Sequence, residues 1–189
     1  MKSLIKSSVL VASILGMNVS AKAQTNETPL KSKSGITYSI GVESGLAVGN
    51  FNDNYKWNLG GSLQADIPVA NDWYITANAG YNSFFGKDNK EDVHLIPLKV
   101  GIKYFPIGQF YVQAEGGAAF PTNKSDLNYE RTAAFIYAPQ AGFRFPIGSR
   151  NSSIDAGIRY EASTKFTNGV SGSKVNFGGL RVAYALATK

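Results

Sequence analysis

The sequence predicts an all-β protein, an eight-stranded antiparallel up-and-down transmembrane β-barrel, and three observations lead to that prediction. Apolar and polar residues alternate with a period of two along eight successive runs, so that each run has one greasy and one polar face. The runs reach a dozen or more residues, longer than the ~5–6 usual in soluble sheets and enough for the tilted ~9–11 that cross hydrocarbon. The connections alternate between long and short, as expected of a barrel with loops on one side of a membrane and tight turns on the other.

The pattern is plainest at 93–120, VHLIPLKVGIKYFPIGQFYVQAEGGAAF, which reads as a hairpin across Pro106-Ile107-Gly108. Ile96, Leu98, Val100, Ile102 and Tyr104 share one face of its first run, opposite Pro97, Lys99, Gly101 and Lys103. In the second run Phe110, Val112, Ala114, Gly116, Ala118 and Phe120 oppose Tyr111, Gln113, Glu115, Gly117 and Ala119.

The N-terminus supplies an address. Lys2 and Lys6 precede an apolar run at 9–17, and Ala21-Lys22-Ala23 follows, the plan of an export signal cleaved before Gln24. The expected organisation is a signal peptide at 1–23, a flexible periplasmic leader at 24–34 (QTNETPLKSKS) and an outer-membrane barrel at 35–189. No run approaches the ~20 consecutive apolar residues of a spanning helix, which argues against an α-helical membrane protein. The formal charge of +6 overstates the mature chain, because removing Lys2, Lys6 and Lys22 leaves sixteen basic against thirteen acidic residues. With no basic stripe carrying interleaved aromatics, nucleic acid is not an expected partner. The chain has no cysteine, so a closed ladder of backbone hydrogen bonds must do what disulfides do in other exported proteins.

In chain order the runs lie at 35–48, 55–69, 73–85, 93–105, 109–120, 133–145, 152–163 and 174–187. An even number puts both ends on the periplasmic side. A faint repeat marks the unit: Ile67-Pro68, Phe105-Pro106 and Phe145-Pro146 each close a downward strand, where the missing proline N–H costs no ladder bond.

Which face meets lipid follows from the polar one. It is rich in glycine (Gly41, Gly60, Gly80, Gly101, Gly117, Gly142, Gly157) and poor in charge, whereas a water-exposed barrel wall would carry dense Lys and Glu. The polar face therefore looks into a narrow lumen. On the apolar face, Tyr38, Trp73, Tyr104, Phe145 and Tyr184 gather toward one rim and Trp57, Phe85, Phe120 and Phe135 toward the other, as interfacial girdles do. The last run alternates cleanly only from Leu180 onward, which predicts a bulge at Gly178-Gly179.

The inward face carries a candidate charge network in which Glu43, Asp66, Glu115, Asp155 and Glu161 balance Lys99, Lys103, Arg144, Arg159 and Arg181. An unpaired buried charge costs several kcal/mol, so these groups must pair or meet water. Turn register sets Lys99 opposite Glu115 and Arg144 opposite Asp155. An eight-stranded barrel is just wide enough for side chains, which favours a plugged interior over an ion path.

Strands such as Pro97-Leu98-Lys99-Val100-Gly101-Ile102-Lys103-Tyr104-Phe105 resemble those of the small OmpA/OmpX-like and OmpW-like outer-membrane barrels and of the "outer membrane protein beta-barrel domain" group. The resemblance spans 35–187. It implies insertion by the barrel-assembly machinery and residence among outer-membrane lipids, in families whose members include structural anchors, adhesins and small-solute channels. The C-terminus departs from the pattern, with Leu186 and Ala187-Thr188-Lys189 in place of the usual terminal aromatic.

Chemistry is sparse. The single histidine, His94, has Asp92, Ser83 and Ser125 as loosely placed company, and no nucleophile-elbow sequence is present. Asp88, Glu91 and Asp92 are diluted by Lys87 and Lys90, leaving no metal site beyond a weak Ca²⁺ cradle. No catalytic, cofactor-binding or metal-binding residue is assigned. The expected function is non-enzymatic, in envelope integrity or in surface interaction through the outer loops with an unidentified extracellular or periplasmic partner. The alternatives are a narrow channel for small solutes or hydrophobic compounds, and a lipid-modifying enzyme.

Overall fold

The computed structural model describes residues 35–88, 90–123, 131–148, 151–167 and 173–188, so the expected signal peptide and leader lie outside the described residues, as does Ser125. Eight strands follow in order: β1 (Thr37–Ala47), β2 (Tyr55–Ala70), β3 (Trp73–Gly86), β4 (Val93–Ile107), β5 (Phe110–Pro121), β6 (Ala134–Pro146), β7 (Ser152–Ser163) and β8 (Asn176–Ala187), with a 3₁₀ turn at Gly49–Phe51. All neighbours pair antiparallel, and β1 meets β8 from Thr37↔Ala187 to Ala47↔Phe177, which closes the barrel. Closure matters physically, because an open edge in hydrocarbon would leave a row of N–H and C=O groups without partners.

The faces fall as the alternation predicts. Ile40, Val42, Leu63, Val100, Ile158 and Leu180 are among the exposed apolar side chains of the outer wall, while Ser39, Gln64, Asn78, Lys99 and Arg181 are buried inside it. Aromatic pairs mark both rims. Trp73 stacks on Tyr104 at the short-turn rim with ring centroids 4.4 Å apart, and Trp57 stacks on Phe85 at the long-loop rim at 4.3 Å.

Glycine on the inner face makes room for larger neighbours. Gly142 pairs with Gly157 across β6 and β7, and a Cβ on either would come within 2.6 or 2.7 Å of the Tyr111 hydroxyl. The phenol lies over this side-chain-free strip.

Gly178 and Gly179 do not form the expected bulge: β8 keeps register through them, with Leu46↔Gly178 and Gly45↔Gly179. The alternation lapses there because glycine contributes no side chain to either face, not because the backbone is irregular. Register shifts occur instead near both ends of β2, between Tyr55 and Asn58 and between Pro68 and Ala70, and at the turn end of β4, between Tyr104 and Ile107. Two prolines also interrupt the ladder within strands. Between β3 and β4 the pairing stops at Ala79↔Leu98 and resumes at Asn82↔Leu95, around Pro97; between β6 and β7 it stops at Tyr137↔Ala162 and resumes at Gln140↔Arg159, around Pro139.

The repeat seen in the sequence has a structural counterpart at the short-turn rim. Phe105 N–H donates to the Asp72 carbonyl at 2.9 Å, Arg144 N–H to the Gln109 carbonyl at 2.9 Å, and Ala187 N–H to the Asn151 carbonyl at 2.8 Å. Each turn is thus latched to the strand next after the one it leads into, the β2–β3 turn to β4, the β4–β5 turn to β6 and the β6–β7 turn to β8. Asp72, Gly108 and Gly148, with φ of 62°, 51° and 56°, supply the left-handed residue these turns require.

The wall assignment gives a direct test. Val100, 65% exposed near the middle of β4, faces hydrocarbon, so Val100→Arg is expected to lower stability by roughly 2–4 kcal/mol whereas Val100→Leu changes little. Urea unfolding from phospholipid vesicles, followed by tryptophan fluorescence, measures the difference.

Candidate functional site

The candidate site is the barrel interior, and it is built in tiers. Nearest the short turns, Lys103 Nζ lies 2.9 Å from an Asp66 oxygen and 3.3 Å from one of Asp155. Arg144 reaches both of the same carboxylates, approaching Asp155 at 2.9 Å. The Tyr111 hydroxyl donates to the other Asp155 oxygen at 2.5 Å and accepts from Gln140 Nε2. Aromatic faces complete this tier: Lys103 sits 4.6 Å from the Tyr111 ring centroid and Arg144 5.3 Å from that of Phe105. Four charges from four strands neutralise one another without exposure to bulk water.

In the middle tier Arg159 spans two carboxylates, Glu43 at 2.9 Å and Glu115 at 3.1 Å, while its Nε donates to Gln140. Arg181 approaches Glu43 at 3.4 Å and donates to the Ser62 and Ser39 hydroxyls. Ser62 in turn donates to Glu43 at 2.7 Å, and Thr76 to Glu115 at 3.2 Å. Above them Lys99 pairs with Glu161 at 2.5 Å.

All ten charged residues of the predicted network therefore lie inside the barrel and meet an opposite charge. The partners differ from the expectation in one case. Arg144 and Asp155 are register neighbours and bond directly, but Lys99 faces Gly117 across the β4–β5 ladder, and Glu115 faces Gly101. Lys99 instead reaches across the lumen to β7. In so narrow a tube the opposite wall is within reach of a long side chain, so adjacency on the sheet does not decide the pairing.

The inner face turns apolar toward the long loops, which the sequence reading missed. Phe51 from the 3₁₀ turn, Tyr55, Phe84, Val93, Leu95, Ile136, Phe166 and Phe177 are buried together as a cap over the polar tiers. Phe51 stacks on Tyr55 at 4.4 Å and meets Phe84 edge-on at 5.4 Å, and Phe84 meets Phe177 at 5.2 Å. The signal was present in the alternation. Carried to the strand ends, the inward parity of Asn78 and Asn82 runs on to Phe84, and that of Lys99 runs back to Leu95 and Val93.

The structure also gathers the residues around His94. Ser83 Oγ lies 2.9 Å from His94 Nδ1 on the outer wall, and the ring stacks beside Tyr81 at 6.0 Å. Asp92 is turned away, its carboxylate accepting from Gly86 N–H, and Asn123 ties the loop base by donating to the Asp92 carbonyl and accepting from His94 N–H. No described carboxylate orients the imidazole, so the pair is a cross-strand hydrogen bond rather than a relay. Among the described residues, Asp, Glu, His and Cys form no group suited to a metal ion. An apolar groove of about 680 Å³ bordered by Tyr38, Ile40, Leu63, Leu98 and Tyr184 lies on the outer wall, where bilayer acyl chains run.

Fold and interior together define a small, closed, transmembrane eight-stranded β-barrel with a filled lumen. Solved outer-membrane barrels share this fold. The outer membrane protein OprG from Pseudomonas aeruginosa superposes with a TM-score of 0.53 at 11% identity, over 85% of this chain and 99% of that one. The attachment invasion locus protein Ail of Yersinia pestis superposes at 0.50 with 19% identity, over 82% of this chain and 99% of that one. A structure of Ail in phospholipid bilayer nanodiscs gives 0.51 at 16% identity, over 82% and 100%. No protein-family model and no curated protein sequence matches the chain. At these identities the likeness is one of fold.

The partner assignment in the upper tier is testable by stability. Glu161→Ala leaves Lys99 buried without its carboxylate and is expected to cost about 3–5 kcal/mol. Glu115→Ala should cost less, because Arg159 keeps Glu43 at 2.9 Å. Lys99→Met combined with Glu161→Leu should recover most of the loss in the same unfolding measurement.

Proposed function

We propose that this protein is a non-enzymatic outer-membrane barrel that serves envelope integrity and surface interaction through its long-loop rim. The observation that carries the reading is the filled interior: two tiers of cross-lumen ion pairs, the Lys99–Glu161 pair above them, and an aromatic cap over all three. A conducting barrel needs a continuous wet path. Here every candidate inward charge is buried and paired, and the apolar cluster lies over them.

The N-terminal export pattern and the fold shared with OprG and Ail support an outer-membrane location, with insertion by the barrel-assembly machinery. The short turns then face the periplasm and the long loops the exterior. A closed wall and a closed lumen leave the loops and the upper rim as the surfaces free to meet partners.

In planar bilayers the purified barrel is expected to show conductance at background, and in cells to fractionate with outer membranes and migrate differently on SDS gels before and after boiling. A large, stable ion current through the unaltered protein would move the channel reading into first place. Changed lipid composition on expression, abolished by His94→Ala, would do the same for lipid modification.

A further inference from the structure

The ladder registers fix the height of every inward residue. Followed through its pairings, the row that leaves β1 at Tyr38 crosses each strand in turn to Asn176 on β8 and returns to β1 at Val48, ten residues above its start. Each step from strand to strand therefore climbs a little more than one residue. Corrected for that climb, Gly179, Gly45, Gly60 and Gly80 stand at one level on four consecutive strands, from β8 round to β3, and Gly45 and Gly179 are direct partners. Pro97, Gly117 and Ala138 hold the same level on β4, β5 and β6, to within about one residue. At this height β7 alone sends a long side chain inward, that of Glu161.

Asparagines from the neighbouring levels reach into the glycine strip. A Cβ on Gly60 would overlap the Asn82 amide oxygen at 1.7 Å, and one on Gly45 would lie 3.0 Å from the Asn58 amide oxygen. Asn78, one position below Gly80 on the inner face, donates through Nδ2 to Gln64 at 3.0 Å, which leaves its oxygen as the end turned away from Gln64. The amide oxygens of Asn58 and Asn78 are buried, and among the described residues neither accepts a hydrogen bond. Lys99, opposite Asn78 in the ladder, crosses the lumen to Glu161, and that carboxylate is the hydrogen-bond partner the described residues give an ammonium with three N–H bonds to place.

The chemistry of these groups identifies the occupant. Two amide oxygens require a donor and the ammonium requires acceptors, so the ligand must do both. A cation would stand against Lys99, and an anion against Glu161 and the amide oxygens. The five acidic and five basic side chains of the lumen already balance, so any added ion would be buried without a counter-charge. Water is neutral, donates and accepts, and when buried makes about three hydrogen bonds to groups of this kind.

We propose that the glycine level of the lumen is a buried water site, in which water donates to the Asn58 and Asn78 amide oxygens and accepts from Lys99 Nζ. The aromatic cap seals it from the long loops and the Arg159 tier closes it from below. This goes beyond the closed-lumen reading, because the plug then consists of two dry parts with an enclosed wet pocket between them and still offers ions no path. The site differs from the other inward glycine strip, at Gly142 and Gly157, where the Tyr111 hydroxyl already covers the space.

The test uses the full mature chain, isotope-labelled, in phosphatidylcholine nanodiscs, with magnetisation transfer from water to backbone amides measured by NMR in the laboratory and rotating frames. Transfer with the sign of long-lived water is expected at Gly45, Gly60 and Gly80, and none at Gly142 and Gly157. Asn58→Leu combined with Asn78→Leu should abolish it, while Ser83→Ala on the outer wall should leave it unchanged. Absence of such transfer in the unaltered protein would overturn the proposal, and that measurement needs no variant to fold. Equal transfer at Gly142 and Gly157 would overturn it as well, since the lumen would then be wet throughout, and so would undiminished transfer in a folded double variant. Exchanging sodium chloride for choline chloride or for sodium gluconate should leave the resonances of these glycines in place. A shift on removing either ion would make the occupant that ion and sink the water assignment. Conductance of the unaltered protein is read separately, so a dry glycine level with background conductance counts against this site and not against the closed barrel.

Discussion

Closure between β1 and β8 is the constraint from which the rest follows. The chain must satisfy every backbone donor and acceptor inside hydrocarbon, and a sheet joined edge to edge does so without a partner protein. Eight strands make a narrow tube, and its bore accepts side chains but little else. A polar interior of that width has to solve its own electrostatics. Lys103 and Arg144 share Asp66 and Asp155, Arg159 shares Glu43 and Glu115, and Lys99 takes Glu161, so opposite walls are braced against each other by ion pairs.

Two kinds of interior coexist in one tube. The short-turn half is a hydrogen-bonded network in which removing one member strands another, and the long-loop half is an ordinary hydrophobic core turned inward. The division makes structural sense because loop residues such as Phe51 and Phe166 fold over the mouth and need apolar partners on the strand ends below. The barrel is thus held shut by two different forces.

Much of this was legible in the sequence. The period of two fixes each face, and the predicted runs differ from the observed strands by no more than two residues at either end, as at 35–48 against Thr37–Ala47 and 174–187 against Asn176–Ala187. Arg144 and Asp155 could be paired because a turn sets their register. Lys99 could not be paired with Glu161, which lies 62 residues away on a strand three places around the barrel, because that contact depends on the bore. The aromatic cap escaped for a different reason. Phe84 and Phe177 sit on the polar parity near strand ends, where an apolar residue is easily taken for girdle or loop. Glycine misled once, at Gly178-Gly179, where a missing side chain has the same appearance in sequence as a kinked backbone.

The latches at the short-turn rim have a bearing on how such a sheet is built. Each turn ends with a carbonyl aimed at an N–H of the next hairpin: Asp72 to Phe105, Gln109 to Arg144, Asn151 to Ala187. A hairpin already in place therefore presents a bonding position beyond its own ladder, at a fixed height, to the hairpin that follows in the chain. Slippage by one residue, which would turn every side chain of the incoming strand to the wrong solvent, would also leave that carbonyl unmatched. The three latches thus add to the ladder a further contact that only one alignment of each strand satisfies.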